Sequence, residues 1–221
     1  MYSNWWMANI AASTVKQKRS EESDLETCMQ KGDGRNGGIM TFETERLIIR
    51  KWKDGDAPAM FECAKDPDVG PIAGWPPHRT VGDSQDILNI FLLKPECYAI
   101  CLKPSDEPIG CIELKLSDSS DLAKGPNECE LGYWLGRSYW GQRIMPEAAK
   151  ALLRHAFEDC AMERVWCGHY EGNMKSRRVM EKCGFTYQWT TEHLEVPLMH
   201  EVRTGYVFKL ERDEWIKQNN H

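Results

Sequence analysis

The chain has 221 residues, with 28 Lys+Arg against 34 Asp+Glu, a formal net charge of −6, 41% hydrophobic and 10% aromatic residues. That length suits one well-buried core rather than two full domains, in an ordinary globular composition. The acidic balance counts against a nucleic-acid partner, whose phosphates need a basic face, and favours a cationic substrate such as an amine.

Residues 1–39 differ from the rest. The segment VKQKRSEESDLETCMQKGDGRNGG is polar, mixed in charge and glycine-rich at its end. A disordered N-terminal extension is expected over 1–39, with the folded domain at 40–221. The first thirteen residues lack the basic start and long apolar core of a secretory signal.

From Thr41 the punctuation is regular. Arg46 to Trp52 suits a first strand. Asp54 to Lys65 reads as a helix stopped by Asp66-Pro67, and Val69 to Thr80 as a Pro- and Gly-rich loop. Asp83 to Leu93 carries Ile87, Leu88, Phe91 and Leu92 at helical spacing. Cys97 to Leu102 and Ile109 to Leu116 read as a hairpin, and Glu128 to Leu135 as the next strand. Pro146 to Glu158 is a helix with Pro early and an alanine- and leucine-rich face. A strand at Arg164 to Gly168 leads to a helix opening on Asn173 and closing at Gly184. Phe185 to Thr190 and Thr204 to Leu210 complete the strands. The order describes one mixed α/β domain.

The nine cysteines are scattered without CxxC pairs. Cys97 and Cys101 have no matching Cys or His pair, so no metal is expected. Most lie in apolar strand-like runs, where a free thiol behaves as a small hydrophobe, and a reducing cytoplasm is the expected location. No apolar run has the length of a membrane span, so no membrane partner is expected.

Two stretches carry the chemistry: ELGYWLGRSYWGQRIMPEAAKA at Glu130 to Ala151, and NMKSRRVMEKCGF at Asn173 to Phe185. The first runs from strand through a Gly-bearing turn into a helix, which aims backbone N–H groups and a positive helix end at one point, a geometry that binds phosphates. A tight strand-to-helix turn would look the same. With TERLIIRKW and ERVWCGHYEG added, these segments resemble the GNAT superfamily of N-acetyltransferases, in its RimJ/RimL-like branch, over about Thr41 to Trp215. The N-x-x-S-x-x-V-x-E-K-x-G-F pattern is the most specific of them.

The resemblance implies a single GNAT-like domain, a mixed and mostly antiparallel sheet with a central splay flanked by helices. It implies acetyl transfer from acetyl-CoA to a primary amine of a small molecule or a protein N-terminus. Carried over, Tyr133, Trp134 and Leu135 line the pantetheine arm; Gln142, Arg143, Ile144 and Met145 form the pyrophosphate loop; and Asn173, Ser176 and Arg178 face the cofactor from the later helix. Glu130 is the first choice for the base that takes the amine proton, Glu113 the second, and Ser176 the partner of the departing thiolate, ahead of Tyr133. Trp75 and His78, in a stiff loop, are the acceptor-side residues. Strand carboxylates and loop histidines are also common as plain surface. One departure matters: Arg143 stands where the family pattern has glycine, which opens the alternative of a catalytically impaired acyl-CoA-binding or regulatory protein. A monomer or homodimer fits the sequence equally.

Overall fold

A computed structural model describes residues 40–219. The expected extension over 1–39 lies outside the described residues. Eight strands form one sheet: β1 (Thr41–Glu43), β2 (Leu47–Lys51), β3 (Cys97–Leu102), β4 (Pro108–Leu116), β5 (Glu128–Leu135), β6 (Arg164–Tyr170), β7 (Thr186–Val196) and β8 (Glu201–Glu211). Their spatial order is β1-β2-β3-β4-β5-β6-β8-β7, and β5 with β6 is the parallel pair among antiparallel neighbours. The helices are α1 (Ala57–Ala64), α2 (Gly70–Ala73), α3 (Val81–Leu93), α4 (Ile144–Arg154), α5 (Met174–Lys182) and α6 (Arg212–Asn219). None of these helices is long and apolar enough to cross a membrane.

Alternation along the strands divides the buried side chains between two faces. On one face Leu47, Ile49, Ile100, Ile112, Leu114 and Leu131 join the main core with Ala148, Ala149, Leu152 and Leu153 of α4 and Met180 of α5. On the other, Cys97, Ala99, Cys101 and Cys111 pack with Trp52, Ala57 and Met60 and with Leu88 of α3. The expected helices therefore sit on both sides of the expected sheet. Thr80 starts α3 through a reciprocal cap: its Oγ1 accepts from Asp83 N at 3.1 Å, and Asp83 Oδ2 accepts from Thr80 N at 3.1 Å.

Several boundaries differ from the sequence reading. The strand β1 is three residues long, too short to show a period. The helix α6 lies beyond the last strand read from the sequence, where no element was assigned; it docks through Trp215, whose ring is 5.3 Å from that of Phe157. Within the stretch read as loop, α2 is a single helical turn. Both β7 and β8 extend past their expected ends, because pairing resumes beyond a register shift at Thr191/Leu194. The helix expected over Pro146–Glu158 begins two residues earlier and gives way after Arg154 to a π turn, His155–Asp159.

Among the described residues eight cysteines are present and none forms a disulfide; six of them are buried. Burial pushes Cys63, Cys101 and Cys183 up to about 11 and Cys167 up to about 12.

At the edge beside β2, Arg50 is buried in an ionic cluster. Its NH1 and NH2 donate to Asp56 Oδ2 and Oδ1 at 2.8 and 3.0 Å, and its NH2 donates to Asp106 O at 2.6 Å. Asp56 also accepts from Lys53 N at 2.8 Å, which fixes the turn into α1. Removing the guanidinium leaves the Asp56 carboxylate buried without its cation. Arg50→Met should therefore lose about 3–5 kcal/mol in urea unfolding, and a loss under about 1 kcal/mol would show that water replaces the guanidinium there.

Candidate active site

The parallel ladder between β5 and β6 runs only from Glu128↔Arg164 through Cys129↔Val165 to Glu130↔Trp166. Both strands continue past that point, β5 to Leu135 and β6 to Tyr170, without pairing to each other. On its far side β5 stays fully paired with β4 through Gly110↔Leu135. The sheet is thus intact on one side of β5 and open on the other. A cleft of about 380 Å³ occupies the opening, lined by Tyr133, Trp134 and Leu135 of β5, by the loop and first turn of α4, and by Asn173 and Ser176 at the start of α5. That volume lies in the range of small-ligand sites.

Two contacts bound this opening. Tyr133 Oη lies 2.9 Å from Ser176 Oγ and donates to Ser176 O at 3.2 Å. Burial, with Cys167 nearby, raises the Tyr133 hydroxyl well above the ordinary tyrosine range, so it keeps its proton at neutral pH. On the opposite face the Trp134 ring meets Trp75 at 5.9 Å, and Trp75 meets His78 at 5.4 Å. His78 Nδ1 lies 2.7 Å from Ser84 Oγ, and burial lowers its pKa, which favours a neutral ring.

The loop after β5 is shaped by its glycines for two different reasons. Gly136 has an ordinary backbone, yet a Cβ there would lie 2.6 Å from Cys63 Sγ and 3.2 Å from Ile109 O. Gly141 has open space around it but a φ of +76°. Arg143, at φ +62°, also holds the left-handed conformation, directly before the first turn of α4. It adopts the backbone geometry a glycine would supply, and its side chain lines the cleft. The turn it precedes has N–H groups with no intrahelical partner. Ile144 and Met145 of that turn also line the cleft.

A brace from the first strands holds this loop. Arg46 NH1 donates to Gln142 O at 3.1 Å, and its Nε to Glu147 Oε2 at 2.8 Å. Thr44 Oγ1 donates to Glu147 Oε1 at 2.6 Å. The side chain of Gln142 turns back to Ser138 O at 2.8 Å, and Gln142 does not line the cleft. Asn173 caps α5, with Oδ1 accepting from Ser176 N at 3.1 Å.

Arg143, Lys175, Arg178 and Lys182 line the cleft, and among the described residues no Asp or Glu does. Lys175 Nζ stands 4.3 Å over the Trp140 ring. In a chain of net charge −6 this is a local inversion of sign, suited to a polyanion. Arg177, next in sequence, faces away and pairs with Glu181 at 2.8 Å.

The expected bases lie elsewhere. Glu113 faces Gly132 and Lys115 faces Glu130 across β4–β5, so both carboxylates share the face of Trp134, opposite Tyr133. Neither lines the cleft. Glu130 is 3.0 Å from Lys115 Nζ and accepts from Ser120 Oγ at 2.7 Å. Glu113 is 2.7 Å from Lys94 Nζ. The structure therefore brings Tyr133, Trp134, Leu135, Arg143, Ile144, Met145, Asn173, Ser176 and Arg178 together at the cleft. Trp75 and His78 stand behind Trp134, and Glu113 and Glu130 sit beyond it on the same face. Sequence reasoning missed Lys182, whose position one turn after Arg178 was a usable signal, and the Arg46–Glu147 brace, which spans too many residues for spacing to reveal.

The family model for the acetyltransferase (GNAT) domain matches residues 46–186. A curated relative, the uncharacterized N-acetyltransferase p20 of Bacillus licheniformis, is 27% identical over 150 residues, covering 66% of this chain and 82% of that protein. An acetyltransferase (GNAT family) structure from Bacillus anthracis superposes with a TM-score of 0.69 at 24% identity, covering 79% of this chain and 99% of that one. The ribosomal-protein-S5-alanine acetyltransferase of Vibrio fischeri superposes at 0.61 with 18% identity, over 80% and 98% of the two chains.

The two loop glycines give separable expectations. Gly136→Ala should destabilise by about 1–3 kcal/mol through overpacking against Cys63. Gly141→Ala should cost about 1–2 kcal/mol through backbone strain alone. Thermal unfolding of both variants, with Cys63→Ala added to each, checks the assignment: the added change should rescue Gly136→Ala and leave Gly141→Ala unrescued.

Proposed function

This chain belongs to the GNAT acetyltransferase family, and we propose that it transfers an acetyl group from acetyl-CoA to a primary amine, on a small molecule or a protein N-terminus. The observation that carries the reading is the cleft itself: an unpaired strand edge beside four cations, with no carboxylate among its described lining residues. The residues present fit acetyl-CoA. The free edge of β5 suits an amide-bearing arm, and the α4 start with Arg143, Lys175, Arg178 and Lys182 suits a diphosphate and a further phosphate. When bound, acetyl-CoA supplies a thioester carbonyl open to attack by a neutral amine.

Each protein group then has a limited task. The Ser176 hydroxyl holds a proton for the departing sulfur, and Tyr133, itself kept protonated by burial, orients that hydroxyl through their 2.9 Å contact. Glu130 takes the amine proton through water, since it does not line the cleft; Glu113 is the second carboxylate within the same face. Trp75 and His78 shape the acceptor side with Trp134. His78 is uncharged there, so it does not repel a cationic acceptor. A protein acceptor agrees with the RimJ/RimL-like motifs and with the acceptor named for the Vibrio fischeri protein. A cytoplasmic location follows from the same reading.

Arg143 already has the backbone that a glycine would give, which weakens the case for an impaired, binding-only protein. Its guanidinium is assigned to the diphosphate. Calorimetric titration with acetyl-CoA should show Arg143→Gly weakening affinity by about tenfold, as expected for loss of one charge-assisted hydrogen bond. Tighter binding by the variant would make the side chain an obstruction instead. For the chemical step, Glu130→Gln should lower kcat by about 10²-fold at unchanged acetyl-CoA affinity, followed by mass spectrometry on an amine panel. Full turnover in that variant would move the proton to Glu113 or bulk water.

A further inference from the structure

At the end of α4 remote from the cleft, three potential metal ligands converge. Glu96, His155 and Cys160 each offer one ligand atom, and these atoms all lie within 4.8 Å of one another. His155 Nε2 is 3.1 Å from Glu96 Oε2 and 3.3 Å from Cys160 Sγ. We propose that Glu96, His155 and Cys160 form a site for a zinc-class divalent cation, bound by one carboxylate oxygen, one imidazole nitrogen and one thiolate.

The local backbone explains the convergence. In a regular α-helix, residues five apart lie about 140° apart around the axis. Here the helix widens into the π turn His155–Asp159, closed by Cys160 N donating to His155 O at 3.0 Å. Widening to this i→i+5 pattern carries Cys160 back over His155. Such π turns recur at functional sites. Glu96, at the entrance to β3, comes in from the sheet, its own backbone fixed by Leu114 N donating to Glu96 O at 2.9 Å.

The distances suit a tetrahedral ion. With metal–nitrogen and metal–oxygen bonds of about 2.0 Å and a metal–sulfur bond of about 2.3 Å, tetrahedral edges come to about 3.3 Å for N···O and about 3.5 Å for N···S. The observed 3.1 and 3.3 Å are each about 0.2 Å shorter than these edges, and the third, from Glu96 to Cys160, lies within 4.8 Å.

The surroundings also match a metal site. Asp159 Oδ2 is 2.8 Å from His155 Nδ1, so that with a metal on Nε2 the ring proton on Nδ1 would face that carboxylate. Tyr98 Oη donates to Glu96 Oε2 at 2.8 Å. The Phe42 ring packs on His155 at 4.9 Å and on Tyr98 at 5.2 Å, giving the cluster an apolar wall. Glu96 and Cys160 are only partly buried, which provides an entry path. Three protein ligands leave the fourth position to water. Binding displaces one proton from the Cys160 thiol and any proton on Nε2. Without a metal, the same ring is held between Glu96 and Asp159; burial alone would lower its pKa, but the two carboxylates outweigh burial and raise it. The ion would tie β3 to the end of the helix whose first turn lines the cleft, a role independent of acetyl transfer.

The test is titration of the reduced full-length chain with cobalt(II) chloride, followed by absorption, with zinc sulfate as competitor. One equivalent should produce tetrahedral visible bands and a near-ultraviolet thiolate-to-cobalt band, both abolished by zinc. Cys160→Ser, a conservative change at a partly buried position, should remove the thiolate band. Asp159→Asn should keep that band and weaken binding by about 10–100-fold, as loss of an orienting partner does. Absence of saturable cobalt absorption overturns the proposal. A thiolate band that survives Cys160→Ser also overturns it, because the metal would then sit on another cysteine.

Discussion

The architecture of the cleft depends on the point where β5 and β6 stop exchanging hydrogen bonds. Backbone N–H and C=O groups at an abandoned strand edge need partners, and a gap of this kind does not survive inside a sheet without a cause. Here the cause is steric and polar together. On one face Tyr133 is tied to Ser176 at the start of α5, so the helix that follows β6 is pinned to the middle of β5. On the other, Trp134 is backed by Trp75. Leu135 O, near the open end, accepts from Trp140 Nε1 at 2.7 Å instead of from β6. Closing the gap would require these contacts to break at once.

Charge is segregated around that gap. The face carrying α4 and α5 presents unopposed cations to the cleft, while the carboxylates of the neighbouring strands are each engaged by a lysine on the opposite face. The Arg46–Glu147 brace performs a related service. It places an ion pair behind the loop, out of the cleft, and uses the same guanidinium to hold the Gln142 carbonyl. The loop is thereby stiffened without bringing a negative side chain to the surface that a polyanion would meet.

Much of this was legible from residue order. The Pro146 helix, the Asn173 cap and the apolar runs of β2 to β6 are local signals, set by runs, periods and caps that act within a few residues. Most of the cleft-lining residues were reached through the family resemblance, whose motifs run through strand, loop and helix in direct succession. What escaped was set by distant contacts. The polar length of β7 is stabilised by pairing with β8, and α6 by distant contacts that include Trp215 with Phe157 and Arg212 N with Glu163 O. The carboxylates illustrate the same limit. Alternation places Glu130 on a face, but the choice of Lys115 and Ser120 as its partners belongs to the neighbouring strand and loop. The π turn at His155 was invisible for a further reason: it obeys the helical pattern until its last turn and is defined by a single shifted hydrogen bond.

The buried thiols have a practical consequence for how this chemistry can be watched. Thiolate, not thiol, reacts with aromatic disulfide reagents. Cys63, Cys101, Cys167 and Cys183 are held at about 11 to 12 by burial, so little of any of them is ionised near pH 8. Cofactor sulfur released into solvent carries no such penalty. In an assay of the proposed acetyl transfer, a colorimetric thiol reagent would therefore register liberated coenzyme A against a low background from these four side chains, because the packing that encloses the core also keeps them chemically silent.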